Sequence, residues 1–275
     1  DPMMSRTANR AIPSGKVSAA SALAFGISIS FLGVAWFYFM SNEIAAFWSA
    51  FSILFYVLIY SMWLKRSTPQ NIVIGGIAGS TPPVIGWAAS VEGLSISNNS
   101  MWASIESLFD LGSSMPWFMF ILIFLWTPPH FWALALYRSE EYAEVGVPML
   151  PNVKGPERTI IEMKVYSVLL ILLSFIAPLS FGEIEVNGGS YHVLSWTILG
   201  LSAWYASTVW RIDISEIPDD SGRIASAANS FFVSMLYLAL MFVVLVTGSF
   251  GQVGTGFGAM ISLAFIGRDE FKVSS

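Results

Sequence analysis

The stretch Met115-Pro-Trp-Phe-Met-Phe-Ile-Leu-Ile-Phe-Leu-Trp126-Thr-Pro-Pro-His130-Phe-Trp-Ala-Leu-Ala-Leu136 decides the fold class. It holds no Asp, Glu, Lys or Arg, and its length matches the ~20 residues with which a helix crosses hydrocarbon. Pro128-Pro129 removes two successive backbone donors, so the helix is expected to break locally there. Lipid tolerates freed carbonyls and a histidine only where protein encloses them. The chain continues as Tyr137-Arg-Ser-Glu-Glu-Tyr142-Ala-Glu-Val-Gly-Val-Pro-Met-Leu-Pro151 and delivers Arg138, Glu140, Glu141 and Tyr142 at the far end. The wall and mouth of a site are expected here.

The rest of the chain agrees. Of 275 residues, 55% are hydrophobic and only 11% charged, against about 25% charged in a soluble domain. Seven apolar segments approach spanning length, at 17–40, 44–64, 72–91, 115–136, 161–182, 192–211 and 229–250. None alternates as strands do. The expectation is an all-α, polytopic transmembrane bundle forming one domain over 1–275, with a tail at 251–275 that is Gly-rich, short for a span and partly interfacial over 251–267. The third span carries Gly75, Gly76, Ala78, Gly79 and Ser80, which permit close helix approach. Its Pro82-Pro83 echoes Pro128-Pro129, so two broken spans are expected.

Several chemistries are excluded. With no cysteine there is no disulfide, thiolate nucleophile or zinc-thiolate site. The two histidines, His130 and His192, rule out a multi-histidine metal centre. A net charge of −5 without a basic tract does not suggest nucleic acid. Eleven of the 13 basic residues fall in alternate loops. The opposite loops carry Glu43, Glu92, Glu106, Asp110, Glu183 and Glu185 and no cation. The positive-inside bias puts the basic loops in the cytoplasm or an organelle matrix.

Three constellations on that face can carry chemistry. In Asp1-Pro-Met-Met-Ser-Arg6-Thr-Ala-Asn-Arg10, a helix would bring Arg6 and Arg10 to one face at i and i+4. There they could hold a diphosphate, with Asp1 on a bridging Mg²⁺. Lys65-Arg66-Ser-Thr-Pro-Gln-Asn71 adds two cations. Taken alone, both segments read more readily as topology-setting anchors. In the third, helical phasing places Tyr137 and Glu141 within about 20° of His130, so one stripe joins an intramembrane histidine to an acidic cluster. Glu140, Glu141 and Glu144 suit a solvated loop as well as a metal site.

These residues resemble a known family. Asp1-x-x-Met-x-Arg-Thr-x-x-Arg10, Lys65-Arg-x-Thr-Pro-Gln-Asn-Ile-x-Ile-Gly75, Pro82-Pro-x-Ile-Gly-Trp-Ala88 and the run 126–151 follow in the order found in the haem O synthase (protohaem IX farnesyltransferase) branch of the intramembrane UbiA-type prenyltransferases. The densest part, Trp126 to Arg138 and Pro148 to Pro151, is specific to that branch. The resemblance implies a nine-helix bundle, two helices of which would precede Asp1, together with the first residues of an Asn-x-x-x-Asp-x-x-x-Asp motif that Asp1 closes. Glu140-Glu141 stands where the branch has Asp-Asp before Tyr142. The segment 92–114 is longer than the branch needs.

The implied reaction moves a farnesyl group from farnesyl diphosphate to the 2-vinyl group of haem b. Arg6, Arg10, Lys65, Arg66 and Arg138 would hold the diphosphate, and Asp1 and Glu141 the Mg²⁺. His130, Trp126, Tyr137, Tyr142 and Asn71 would line the haem pocket, with His130, Arg6 and Arg10 catalytic. The setting would be a bacterial or archaeal cell membrane, or the mitochondrial inner membrane, and a haem A synthase a possible recipient of the product. Two rivals are a UbiA-type enzyme prenylating a 4-hydroxybenzoate-like ring, and a seven-helix transporter with broken helices.

Overall fold

A computed structural model describes residues 9–137, 148–180, 188–217 and 224–274. All regular structure among them is helical. The chain divides into two compact units, the first holding the described residues up to Gly112 and the second those of 113–137 and from Met149 onward.

In the first unit, α1 (Ala19–Met40) and α2 (Glu43–Leu54) pack as a hairpin. Each begins on a side-chain cap: Ser18 accepts the Ser21 N–H, and Asn42 accepts that of Ala45. α2 runs on as a π-helical stretch, Phe55–Trp63, and a 3₁₀ turn, Leu64–Arg66. The π stretch lays the Tyr60 ring against Gly75, where a Cβ would clash. Glycine is required there by close approach.

The third span breaks as expected, into α3 (Asn71–Gly79) and α4 (Pro82–Ser90). Pro82 has no N–H to give the Ala78 carbonyl four residues earlier. The Thr81 hydroxyl lies 2.8 Å from that oxygen and the Ser52 hydroxyl 3.2 Å from it. The break is thus sealed by hydroxyls rather than left open to lipid. The α1–α2 turn is tied to the end of α4, where Asn42 Nδ2 donates to Ala88 O at 2.6 Å.

The long 92–114 segment contains α5 (Met101–Phe109), which opens on the Ser100 cap. Trp48 and Trp87 donate indole N–H groups to its Leu108 carbonyl and to Leu111 O. Met101, Trp102, Ile105 and Phe109 are exposed on it.

The second unit contains α6 (Met115–Tyr137), a short α7 (Leu150–Lys154), α8 (Pro156–Ser180), α9 (Gly188–Trp210), α10 (Ala225–Gly248) and α11 (Gly251–Ser274). α8 packs on α6 and α9, and α10 on α6, α9 and α11. Hydroxyls join three of these helices in the core. Ser174 on α8 donates to Ser202 on α9 at 2.7 Å, and Ser202 lies 3.1 Å from the Tyr237 hydroxyl on α10. The N-terminus of α10 has no cap of its own; Glu216, in the preceding loop, accepts the Ser226 N–H. In that loop, the hydroxyl and N–H of Ser215 hold the Asp213 carboxyl below its usual range.

Three expectations change. α6 runs unbroken through Pro128-Pro129. Proline's fixed φ is helical, so losing two N–H groups weakens the ladder without forcing an exit, and Thr127 donates its hydroxyl to Ile123 O at 2.7 Å. Of the seven expected spans, six helices among the described residues are long and apolar enough to cross a membrane: 19–40, 43–66, 71–90, 115–137, 156–177 and 225–248. The segment expected at 192–211 does form a helix, α9, but its many Ser, Thr and Gly residues dilute its apolar character. Finally, the tail is helix α11, lying against α10. A Cβ on Gly254 would meet the Thr247 carbonyl, and one on Gly258 the Thr247 hydroxyl. This Gly-x-x-x-Gly spacing serves close packing, a contact that composition alone did not reveal.

Candidate active site

The site residues of the first unit lie at one end of the α1–α2 hairpin, where both the segment before α1 and the end of the second span emerge. Arg10 is exposed in a series of turns over 9–17 that contains Pro13 and a left-handed Gly15 (φ 75°). Proline and a left-handed glycine favour turns here; the expected helical pairing of Arg10 with Arg6 rests on residues outside the described ones. Lys65 and Arg66 close the 3₁₀ turn with exposed side chains, and no ion pair among the described residues engages them.

Asn71 is buried, and its side-chain hydrogen bonds are local. Its Nδ2 donates to Thr68 O at 2.8 Å and approaches Lys65 O at 3.5 Å. The Ser67 hydroxyl donates to Trp63 O at 2.6 Å. The turn bearing the two cations is thus fixed from beneath by its own side chains, as Asx and Ser motifs do.

In the second unit, His130 is 7% exposed and sits in an aromatic cage. Trp126, one helical turn earlier, stacks on it with centroids 4.2 Å apart and planes 21° apart. Phe231 of α10 covers the other face at 4.8 Å and 25°. Phe131 meets its edge at 5.1 Å. Ser234 then engages both ring systems of α6: its hydroxyl lies 2.6 Å from His130 Nδ1, and its carbonyl accepts the Trp126 indole N–H at 2.8 Å. Two faces and one edge of the imidazole are thereby set. Tyr137, at the end of α6, is half-buried with its ring edge-on to Phe232.

Of the sequence-derived residues, Trp126 and His130 come together directly, and Lys65, Arg66 and Asn71 share one turn. Asp1, Arg6, Arg138, Glu140, Glu141, Tyr142 and Glu144 lie outside the described residues, so the Mg²⁺ expectation rests on carboxylates beyond them. Among the described residues no three His, Asp or Glu side chains gather as a metal site. Sequence reasoning missed Phe231 and Ser234. A signal existed: Ser230, Ser234 and Tyr237 recur at 4- and 3-residue spacing in an otherwise apolar span, and all are buried.

Comparisons with known proteins give the family. Residues 1–227 match the UbiA prenyltransferase family. The chain belongs to that family. Among its relatives, a protein of Beijerinckia indica is 42% identical over 262 residues, covering 95% of this chain and 73% of the relative. One of Rhodopseudomonas palustris is 42% identical over 245 residues, 89% of this chain and 70% of that one. One of Sinorhizobium fredii is 44% identical over 243 residues, 88% and 68% of the two chains. All three relatives are named protoheme IX farnesyltransferase. No solved structure matches this UbiA-family chain.

Proposed function

We propose that this chain transfers the farnesyl group of farnesyl diphosphate to the 2-vinyl group of protohaem IX, giving haem O and diphosphate. The carrying observation is the caged His130 inside the Trp-Thr-Pro-Pro-His-Phe-Trp run (126–132). Support comes from relatives of that name at about 42% identity over most of both chains.

The chemistry follows from charge. The bond between the allylic carbon and the diphosphate oxygen breaks with its electron pair leaving on oxygen, so negative charge builds on the diphosphate. Arg10, Lys65 and Arg66, together with Arg6 and Arg138, are assigned to that charge; prepositioned cations stabilise it most where water is scarce. A divalent ion bound with the diphosphate would share that role, with Asp1 and Glu141 as its proposed carboxylates. The terminal vinyl carbon of haem bonds to the farnesyl carbon, and the positive charge moves to the carbon beside the porphyrin. Water adds there and releases a proton, leaving a hydroxyethylfarnesyl chain. Apolar helix walls protect the cation from early capture by water.

His130 is assigned to the porphyrin side, as the residue that holds haem or takes the released proton. Trp126 fixes its ring, and Tyr137 and Tyr142 are assigned to the same side. The charge bias of the loops supports a cytoplasmic or matrix location for this chemistry, and a haem A synthase is a fitting recipient of the product.

The test is His130→Ala, expressed in a host lacking haem O synthesis, with haems extracted and separated. The expected result is a protein that inserts in the membrane but makes no haem O. A wild-type yield of haem O would reject the assignment.

A further inference from the structure

The proton count around Ser234 fixes something the functional reading leaves open. Its hydroxyl oxygen lies 2.6 Å from the Phe231 carbonyl oxygen and 2.6 Å from His130 Nδ1. A serine hydroxyl has one proton to give, and a carbonyl oxygen can only accept. The proton therefore goes to Phe231 O, and the contact with His130 needs a donor on the ring. That donor is Nδ1–H. The neutral imidazole then carries its lone pair on Nε2, the reverse of the form that free histidine prefers.

The environment holds this arrangement. Trp126 and Phe231 clamp the ring plane, and Trp126 is itself held by the Ser234 carbonyl at 2.8 Å. Nε2 has no hydrogen-bond partner among the described residues. A histidine whose second nitrogen is committed to a neighbour is the arrangement that sets tautomer and ring orientation for a ligand or a base.

We propose that Ser234 is a positioning residue that locks His130 in the Nδ1–H tautomer, leaving Nε2 as the ring's free basic atom. The significance for catalysis rests on the functional reading above: Nε2 is then the atom that meets haem, as donor to its iron or acceptor of the proton released by water. The tautomer itself does not depend on that reading.

The chain has only two histidines, which makes a direct test practicable. Full-length protein carrying ¹⁵N-labelled histidine is reconstituted in liposomes, and His192→Gln assigns the His130 ring nitrogens. The wild type is expected to show a protonated Nδ1 and an unprotonated Nε2. Ser234→Ala should lose that pattern, and Ser234→Thr should keep it. In the farnesylation assay, Ser234→Ala should lower kcat at least tenfold with less than threefold change in the KM for farnesyl diphosphate, and Ser234→Thr should restore it.

An Nε2–H ring in the wild type, or an Nδ1–H ring that survives Ser234→Ala, would overturn the proposal. So would unchanged kcat in a Ser234→Ala protein whose ring has changed tautomer. Should His130→Ala instead retain full haem O yield, the functional reading falls while the ¹⁵N result stands on its own. If Ser234→Thr does not fold, the alanine spectrum alone decides.

Discussion

His130 on α6 and Ser234 on α10, 104 positions apart in sequence, meet at 2.6 Å, and the same serine's carbonyl holds Trp126. One residue of one helix thus aligns two aromatic rings of another. Trp126→Phe keeps a stacking face but loses the indole N–H. It should cost about 1 kcal/mol of stability, the net worth of one hydrogen bond. Turnover should fall several-fold while the protein remains inserted. Thermal unfolding in detergent and initial rates of haem O formation check both; wild-type turnover would show that indole anchoring plays no part in the site.

The cationic turn predicts a different kinetic signature. Lys65→Ala and Arg66→Ala each remove one exposed charge from a turn that Asn71 and Ser67 keep in shape. Each should weaken farnesyl diphosphate binding about tenfold, or ~1.4 kcal/mol, with little effect on haem affinity. Raising ionic strength should narrow the gap to wild type. Apparent affinities measured across a salt series decide the matter, and an unchanged KM in the double variant rejects the diphosphate role.

At the break in the third span, Thr81→Val deletes the hydroxyl 2.8 Å from the Ala78 carbonyl that Pro82 leaves without an N–H. The Thr81 N–H at 3.3 Å and the Ser52 hydroxyl at 3.2 Å then remain as more distant donors. The expected loss is about 1 kcal/mol, the net worth of one hydrogen bond. Adding Ser52→Ala should cost more than the two single changes summed, because both hydroxyls serve one oxygen. Unfolding of the four proteins in one detergent supplies the cycle; strict additivity would contradict shared service.

The contact between α10 and α11 can be tested by volume. Gly258→Leu places a side chain where even a Cβ would meet the Thr247 hydroxyl. Overpacking of this kind costs about 1–3 kcal/mol. Gly256→Leu, at a position where an added Cβ meets nothing within 4 Å, serves as control and should be near neutral. Equal stability of the two variants would mean that the glycine contact does not hold α11 in place.

The sequence disclosed helix-forming spans because apolarity and length suffice for that, and the Pro82-Pro83 break because proline acts locally. Pro128-Pro129 misled for an instructive reason: the dipeptide sets φ and removes donors, but whether a helix ends there is decided by its packing. The packing of the Gly-rich tail was hidden in its composition, since Gly254 and Gly258 gain meaning only beside Thr247. His130 was legible as a singular intramembrane histidine. Its cage was not, because Phe231 and Ser234 arrive from a helix a hundred residues away. Lys65 and Arg66 could be read as cations but not as a braced turn, which needs the contacts of Asn71 and Ser67.

The Ser174–Ser202–Tyr237 chain has a consequence for how deep His130 lies. Apolar helices sliding past one another in lipid trade one set of methyl contacts for a similar one, so packing alone indexes axial position weakly. Hydroxyls do not slide in this way. A shift by one residue, about 1.5 Å of rise, would break both the 2.7 Å and the 3.1 Å contacts. Three oxygens therefore act as an index mark on α8, α9 and α10. Because Ser234 is carried on α10, the same mark sets the level in the bilayer at which the imidazole is presented.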